Sequence, residues 1–171
     1  TSSVSVNLSV EPITQTTATF KGNYEQLDGE GFEIGVLYST ASSDLTSNSA
    51  KKIILSNKNF SHKISGLKYN TTYYYCYYVG QKGKYTYGST QEFKTRDVHV
   101  EVSVSDVTQT TATFIGQTEI TESDAIEVGI LYSSNSSLSL SSSLTKKKKL
   151  NNGNLSFTAE GLTNNTKYYY K

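Results

Sequence analysis

Tryptophan and methionine are missing from this 171-residue sequence, and cysteine and proline occur once each. With a single thiol, Cys76, no intrachain disulfide can form, so burial and hydrogen bonding must hold the fold. Charge is sparse as well: 18% of residues are Asp, Glu, Lys or Arg, and the net charge is +1. That balance, with no continuous basic face, argues against a nucleic-acid partner. Nowhere do 18 apolar residues run together, so no membrane-spanning helix is expected. No segment carries a helical period either. The chain opens at Thr1 without a targeting signal, which reads as a processed product or an excised fragment. What is abundant is tyrosine, 14 against 6 phenylalanines, set in alternating runs that argue against disorder.

The sequence repeats itself. Thr-Gln-Thr-Thr-Ala-Thr-Phe occurs at 14–20 and again at 108–114, and Gly35-Val36-Leu37-Tyr38 returns as Gly129-Ile130-Leu131-Tyr132. Further on, Gly66-Leu67 matches Gly161-Leu162, and Thr71, Tyr73, Tyr74 and Tyr75 match Thr166, Tyr168, Tyr169 and Tyr170. A duplication on this scale marks two copies of one folding unit, assigned to 1–96 and 97–171. Copy one runs on from Cys76 through Tyr77 to Thr95, whereas copy two stops at Lys171, the counterpart of Cys76. Copy two is therefore expected to lack its last strand. Either the chain is cut there or a strand from a neighbouring polypeptide completes it.

Within a copy the pattern has period two, the mark of strands. Ile34, Val36 and Tyr38 share one face, as do Tyr73, Tyr75, Tyr77 and Val79. The inward set is expected to be Phe20, Ile34, Val36, Tyr38, Ile64, Leu67, Tyr73 and Tyr75, with Phe114, Val128, Ile130, Tyr132, Ala159, Leu162, Tyr168 and Tyr170 as counterparts. His62, aligned with Phe157, reads as a core histidine. Asp28-Gly29, Asn57-Lys58-Asn59 and Gly80 to Gly83 punctuate the runs, giving an all-β fold of two antiparallel sandwiches.

Gly66-Leu67 followed by Thr71 and Tyr73, and Gly161-Leu162 followed by Thr166 and Tyr168, resemble the fibronectin type III domain. Together with Thr-Ala-Thr-Phe-x-Gly, Gly-x-Leu-Tyr-Ser and the close at Phe93-Lys94-Thr95, they are similar to versions found in surface proteins of the Bacteroidetes. The resemblance covers copy one and the shorter copy two, and implies tandem immunoglobulin-like sandwiches at the cell surface or outside the cell. It also implies that Tyr73 and Tyr168 are tyrosine-corner residues, each hydroxyl seeking a backbone acceptor.

Reactive chemistry is thin. His62 and His99 lie in different copies without a third ligand, so no metal is expected, and no serine sits in an activating context. No catalytic residue or cofactor is assigned. Glu25, Asp28, Glu30 and Glu33 recur as Glu119, Glu122, Asp124 and Glu127, which reads as a solvated acidic loop ahead of a calcium site. Lys146 to Lys149 suit an exposed strand, and the Ser-rich stretches 39–49 and 133–143 suit mobile loops. By parity Leu37, Tyr74 and Tyr78 face outward beside an exposed Cys76, a candidate surface for a protein or glycan partner. These features together suggest a non-enzymatic spacer or adhesion module of a bacterial surface or secreted assembly. The alternatives are a glycan-binding accessory module of a carbohydrate-active system and a bacteriophage virion surface domain.

Overall fold

Alternating β-branched and aromatic residues become strands throughout, and the chain divides into two compact units, Thr1–Asp97 and Val98–Lys171. The computed structural model describes residues 4–25, 31–120, 126–150 and 155–171. Unit 1 contains β1 (Ser5–Ile13), β2 (Ala18–Glu25), β3 (Phe32–Ser39), β4 (Lys51–Ile54), β5 (Asn59–Ile64), β6 (Thr72–Gln81), β7 (Lys84–Tyr87) and β8 (Gln91–Lys94). A 3-10 turn, Ser42–Asp44, interrupts the loop after β3. One sheet runs β1-β2-β5 and the other β4-β3-β6-β7, with β8 also on β6. Both β7 and β8 pair the same edge of β6: β7 covers Tyr78–Gln81 and β8 covers Thr72–Tyr75. Every described pairing is antiparallel, and in unit 1 the two sheets pack as a β-sandwich around one aromatic core.

Unit 2 contains β9 (Val100–Ser105), β10 (Ala112–Thr118), β11 (Val128–Ser133), β12 (Lys146–Leu150), β13 (Leu155–Ala159) and β14 (Tyr169–Tyr170). Its sheets are β9-β10-β13 and β12-β11-β14. The lysine run forms edge strand β12, where cations discourage further pairing.

The repeated Thr-Gln-Thr-Thr is a turn that satisfies its own backbone. Thr17 N–H donates to Thr14 Oγ1 at 2.9 Å and Thr14 N–H to Thr17 O at 2.9 Å. Thr111 and Thr108 repeat both bonds, at 3.0 and 2.9 Å. The loop before β6 is duplicated just as closely, with left-handed backbone at Gly66 and Asn70 and again at Gly161 and Asn165. In it Tyr73 Oη takes a hydrogen bond from Lys68 N–H at 3.0 Å, and Tyr168 Oη takes one from Thr163 N–H at 3.1 Å. Each hydroxyl thus accepts from a backbone amide, where the resemblance implied a bond to a backbone acceptor. The tight turn points the amide, not a carbonyl, at the ring.

All eight residues assigned inward in unit 1 are buried in one cluster with Phe93. Phe20 lies at its centre, with ring centroids 5.4 Å from Tyr75, 5.9 Å from Phe93 and 6.0 Å from Tyr38. His62 departs from its assignment as a core residue. It stands opposite Phe20 in the ladder, yet β5 is the outer strand of its sheet and the imidazole is exposed there.

In unit 2 Phe114, Ile130, Tyr132 and Ala159 are buried together, with Leu162 and Tyr168 half-buried against them and Val128 in an adjoining cluster. Tyr170 does not join them. Its ring meets Phe114 edge-on at 5.4 Å but stays 43% exposed, against 6% for its counterpart Tyr75, which β8 flanks.

Truncating Phe20 to alanine is expected to cost unit 1 about 3–5 kcal/mol in urea unfolding. Tyr73→Phe, which removes one acceptor from a backbone amide, should cost about 1 kcal/mol in the same measurement.

Candidate functional site

Residues opposite one another in a ladder share a face, and the register of unit 1 assembles a set on the outer side of the β3/β6 sheet. Leu37 pairs with Lys52 on one side and Cys76 on the other, Gly35 with Tyr78, Tyr78 with Tyr87, and Gly80 with both Glu33 and Tyr85. Two glycines form the floor. A Cβ on Gly35 would lie 2.4 Å from Tyr78 Cε1, and one on Gly80 would lie 2.7 Å from Tyr85 Cε1. The rings therefore lie flat against bare backbone, an arrangement any side chain at 35 or 80 would prevent.

Over this floor stands a fixed polar cluster. Tyr78 Oη donates to Glu33 Oε1 at 3.0 Å, and Lys52 Nζ pairs with the same carboxylate oxygen. The ammonium also sits 5.0 Å from the Tyr78 ring centroid and 6.0 Å from that of Tyr85, within cation–π range of both. Tyr78 and Tyr85 meet edge to face at 6.1 Å. The Lys52 ammonium, followed by the Tyr78 hydroxyl, holds the Glu33 carboxyl below its usual range, and the carboxylate in turn raises Lys52. Burial, reinforced by Glu33, pushes the Tyr78 phenol up to about 12.

The loop after β3 walls the site. Ser39 Oγ donates to Asp44 Oδ2 at 3.0 Å and Ser47 Oγ to Asp44 O at 2.8 Å, so the stretch read as a mobile Ser-rich loop is a hydrogen-bonded turn. It delivers a buried Leu45 to a cleft of about 350 Å³, which Leu37, Asn48, Tyr78, Tyr85 and Tyr87 also line. Tyr85 and Tyr87 remain 51% and 39% exposed at its mouth.

This changes the expected surface of Leu37, Tyr74 and Tyr78 beside an exposed Cys76. Tyr78 is 1% exposed and serves as cleft floor, Leu37 is half-buried beside it, and Tyr74 lies further along β6 between Ser39 and Glu92. Cys76 is buried, its thiol pushed up by desolvation, because the turn after β3 packs against β6. Parity put these residues on the right face without showing what covers it. Tyr85, Tyr87 and Lys52 were missed. The turn at Lys82-Gly83 followed by alternation through Lys84-Tyr85-Thr86-Tyr87, with glycines across the ladder, was the pattern that could have located them.

In unit 2 the counterpart of Glu33, Glu127, pairs with a different lysine, Lys149, which stands where unit 1 has Ile54, while the counterpart of Lys52 is Lys147. Lys149 Nζ lies 3.4 Å from Glu127 Oε2, both well exposed, and the neighbouring groove is lined by Gly129, Leu131, Leu140 and lysines. Among the described residues no group of three or more His, Cys, Asp or Glu is placed to hold a metal ion. Asp28, Glu30, Glu122 and Asp124 of the acidic-loop reading lie outside the described residues.

No protein-family model and no curated protein matches the sequence. Among solved structures the chain is similar to the sensor domain of the anti-sigma factor RsgI4 of Pseudobacteroides cellulosolvens, at 27% identity over 56% of this chain and 95% of that one, with a TM-score of 0.43. It is also similar to the FN1–FN3 domains of chicken CNTN1, at 15% identity over 96% of this chain and 58% of that one, TM-score 0.37. A segment of two fibronectin type III domains from chicken tenascin matches at 16% identity over 95% and 85% of the two chains, TM-score 0.40.

Two outcomes follow from the cleft. Because folding raises the Tyr78 phenol from near 10 to about 12, its contribution to stability is complete below pH 10 and is lost as the pH rises through 12. Wild-type unit 1 should lose stability over that window more steeply than Tyr78→Phe, measured by urea unfolding at each pH. The Cys76 thiol should react with a thiol reagent in denaturant and stay inert in the native protein, as measured by absorbance of the released chromophore.

Proposed function

We propose that the protein is a non-enzymatic module of a bacterial cell-surface or secreted assembly that holds a carbohydrate in the aromatic cleft of unit 1. The supporting observation is the pair of exposed rings, Tyr85 and Tyr87, beside the fixed Lys52–Glu33 pair. The apolar face of a pyranose stacks on aromatic rings, and its hydroxyls find a preorganised donor in the ammonium and an acceptor in the carboxylate. Glycoside hydrolysis needs two carboxylates around the scissile bond, one protonated. Glu33 is held ionised by Lys52 and Tyr78, a state suited to accepting hydrogen bonds. The spacer reading is supported by the buried core that each unit has of its own.

A protein ligand is the second reading, favoured by the same rings, since tyrosine dominates protein interfaces energetically. A glycan array probed with the full chain separates the two. Binding to a defined oligosaccharide, weakened at least about tenfold by Tyr85→Ala and by Tyr87→Ala with unfolding midpoints unchanged, is the expected result. Absence of binding to every saccharide, or binding indifferent to both substitutions, would overturn the carbohydrate reading.

A further inference from the structure

The duplication sets β12 of unit 2 against β4 of unit 1. Register aligns Lys147 with Lys52, each opposite a leucine of the adjoining strand, and so places Lys148 where β4 has Ile53 and Lys149 where it has Ile54. Ile53 is buried in the core of unit 1, opposite Val36. Lys148 stands opposite the fully buried Ile130, so a lysine takes a position whose ladder partner faces the core. Its side chain runs out along the edge instead, exposed, with Nζ 5.4 Å from the Phe157 ring centroid. Lys146, opposite Tyr132, does the same over that ring at 5.9 Å. In both units this strand is the outermost of its sheet, β4 beside β3 and β12 beside β11, so the free edge belongs to the repeated fold. Cations on an edge discourage pairing, and β4 manages with Lys51 and Lys52, so edge protection does not call for a third and fourth lysine.

Little in unit 2 neutralises this edge. Lys149 Nζ lies 3.4 Å from Glu127 Oε2, an exposed pair of a kind that contributes little to stability. Among the described residues Lys146, Lys147 and Lys148 make no ion pair, whereas Lys52, the counterpart of Lys147, is matched by Glu33. Alternation along the strand sends Lys147 and Lys149 to the outer face of the sheet and Lys146 and Lys148 to the other. The four ammoniums therefore flank the free edge of β12 from both sides, over a length of roughly 10 Å.

We propose that the lysine edge of unit 2 binds a linear polysaccharide carrying carboxylates on successive sugar residues, laid along β12. Charge complementarity selects an anionic ligand, and the Glu127 carboxylate on Lys149 shows in miniature the contact each uronate makes. The alternation selects a chain over a surface. An anionic membrane is flat and meets the lysines of one face only, whereas a single polymer running along the edge is reached by both pairs. Nucleic acid fits less well, because Tyr132 is buried and Phe157 half-buried beneath lysine ammoniums, leaving no ring face on which a base stacks. The site goes beyond the aromatic cleft, from which it differs in unit, in residues and in the charge of the sugar it takes.

The test titrates a fluorescein-labelled oligogalacturonate against the full chain by fluorescence anisotropy at low ionic strength, with the fully methyl-esterified oligomer as the uncharged control. Saturable binding of the acidic oligomer alone, weakened steeply by added salt, is the expected result. Lys147→Gln combined with Lys148→Gln should weaken it at least about tenfold with the unfolding midpoint unchanged. Lys148→Ile, which restores the residue found in β4, should weaken it too. The proposal is overturned by no saturable binding of the acidic oligomer, by equal binding of the esterified control, or by either variant binding like the wild type. Tighter binding to phosphatidylglycerol vesicles or to a single-stranded oligonucleotide overturns it as well. Tyr85→Ala should leave oligogalacturonate binding intact, and loss of binding in that variant would move the ligand to the cleft and overturn the proposal. Failure at the lysine edge leaves the cleft reading standing, since that is read on Tyr85 and Tyr87.

Discussion

Phe93, standing between Phe20, Tyr73 and Tyr75, is the contact that closes unit 1. Each aromatic pair of this geometry contributes about 0.5–1.5 kcal/mol beyond the area it buries, and Phe93 makes three. The same strand end carries Thr95, whose hydroxyl ties the loop before β6 to the edge of the sheet. Arg96 N–H then reaches Thr14 O at 3.0 Å, so the turn between β1 and β2 is anchored by the same segment. Packing, corner and turn depend on one short strand. In unit 2 Phe157, where unit 1 has His62, stacks on Phe114 at 6.2 Å and approaches Tyr132 at 6.1 Å. The cluster remains coherent but leaves Tyr170 in water.

The outer face of unit 1 follows from a second constraint, the close approach of rings to glycine. Gly35 and Gly80 sit across the ladder from Tyr78 and Tyr85, and the absence of a Cβ lets each ring lie on the backbone. Lys52 is then placed over two ring faces while its charge is matched by Glu33, so a cation is held without depending on solvent alone. Surface ion pairs contribute little to stability, and here the pair's consequence is order: the polar groups are fixed in position before a ligand arrives.

Much of this was legible in the sequence. The duplicated Thr-Gln-Thr-Thr and Gly-Leu-x-x-x-Thr-x-Tyr strings mark local hydrogen-bonded turns, whose geometry is set by neighbouring residues and so reads directly from order. The inward set of unit 1 followed from period two. Cys76 and Tyr78 were misjudged because parity reports a face of the sheet, not what folds over it, and Leu45 arrives from a loop with no periodic pattern. His62 was misjudged because sharing a ladder position with Phe157 does not fix burial: both stand on outer strands opposite a buried Phe, and the apolar ring of Phe157 packs half-buried on Phe114 while the imidazole stays in water. Tyr85 escaped notice because the residue opposite it, Gly80, has no side chain to suggest a site, and Tyr87 because the residue opposite it, Tyr78, was read as an exposed ring.

The claim that one strand governs the closure of each sandwich is tested most directly by site-resolved hydrogen exchange on the full chain with nothing added. Amides at 73–76, held between β3 and β8, should exchange only through global unfolding of unit 1. Those at 168–171, paired among the described residues with β11 alone, should exchange orders of magnitude faster than the slowest amides of unit 2. Equal protection of the two segments relative to their own units would contradict the account.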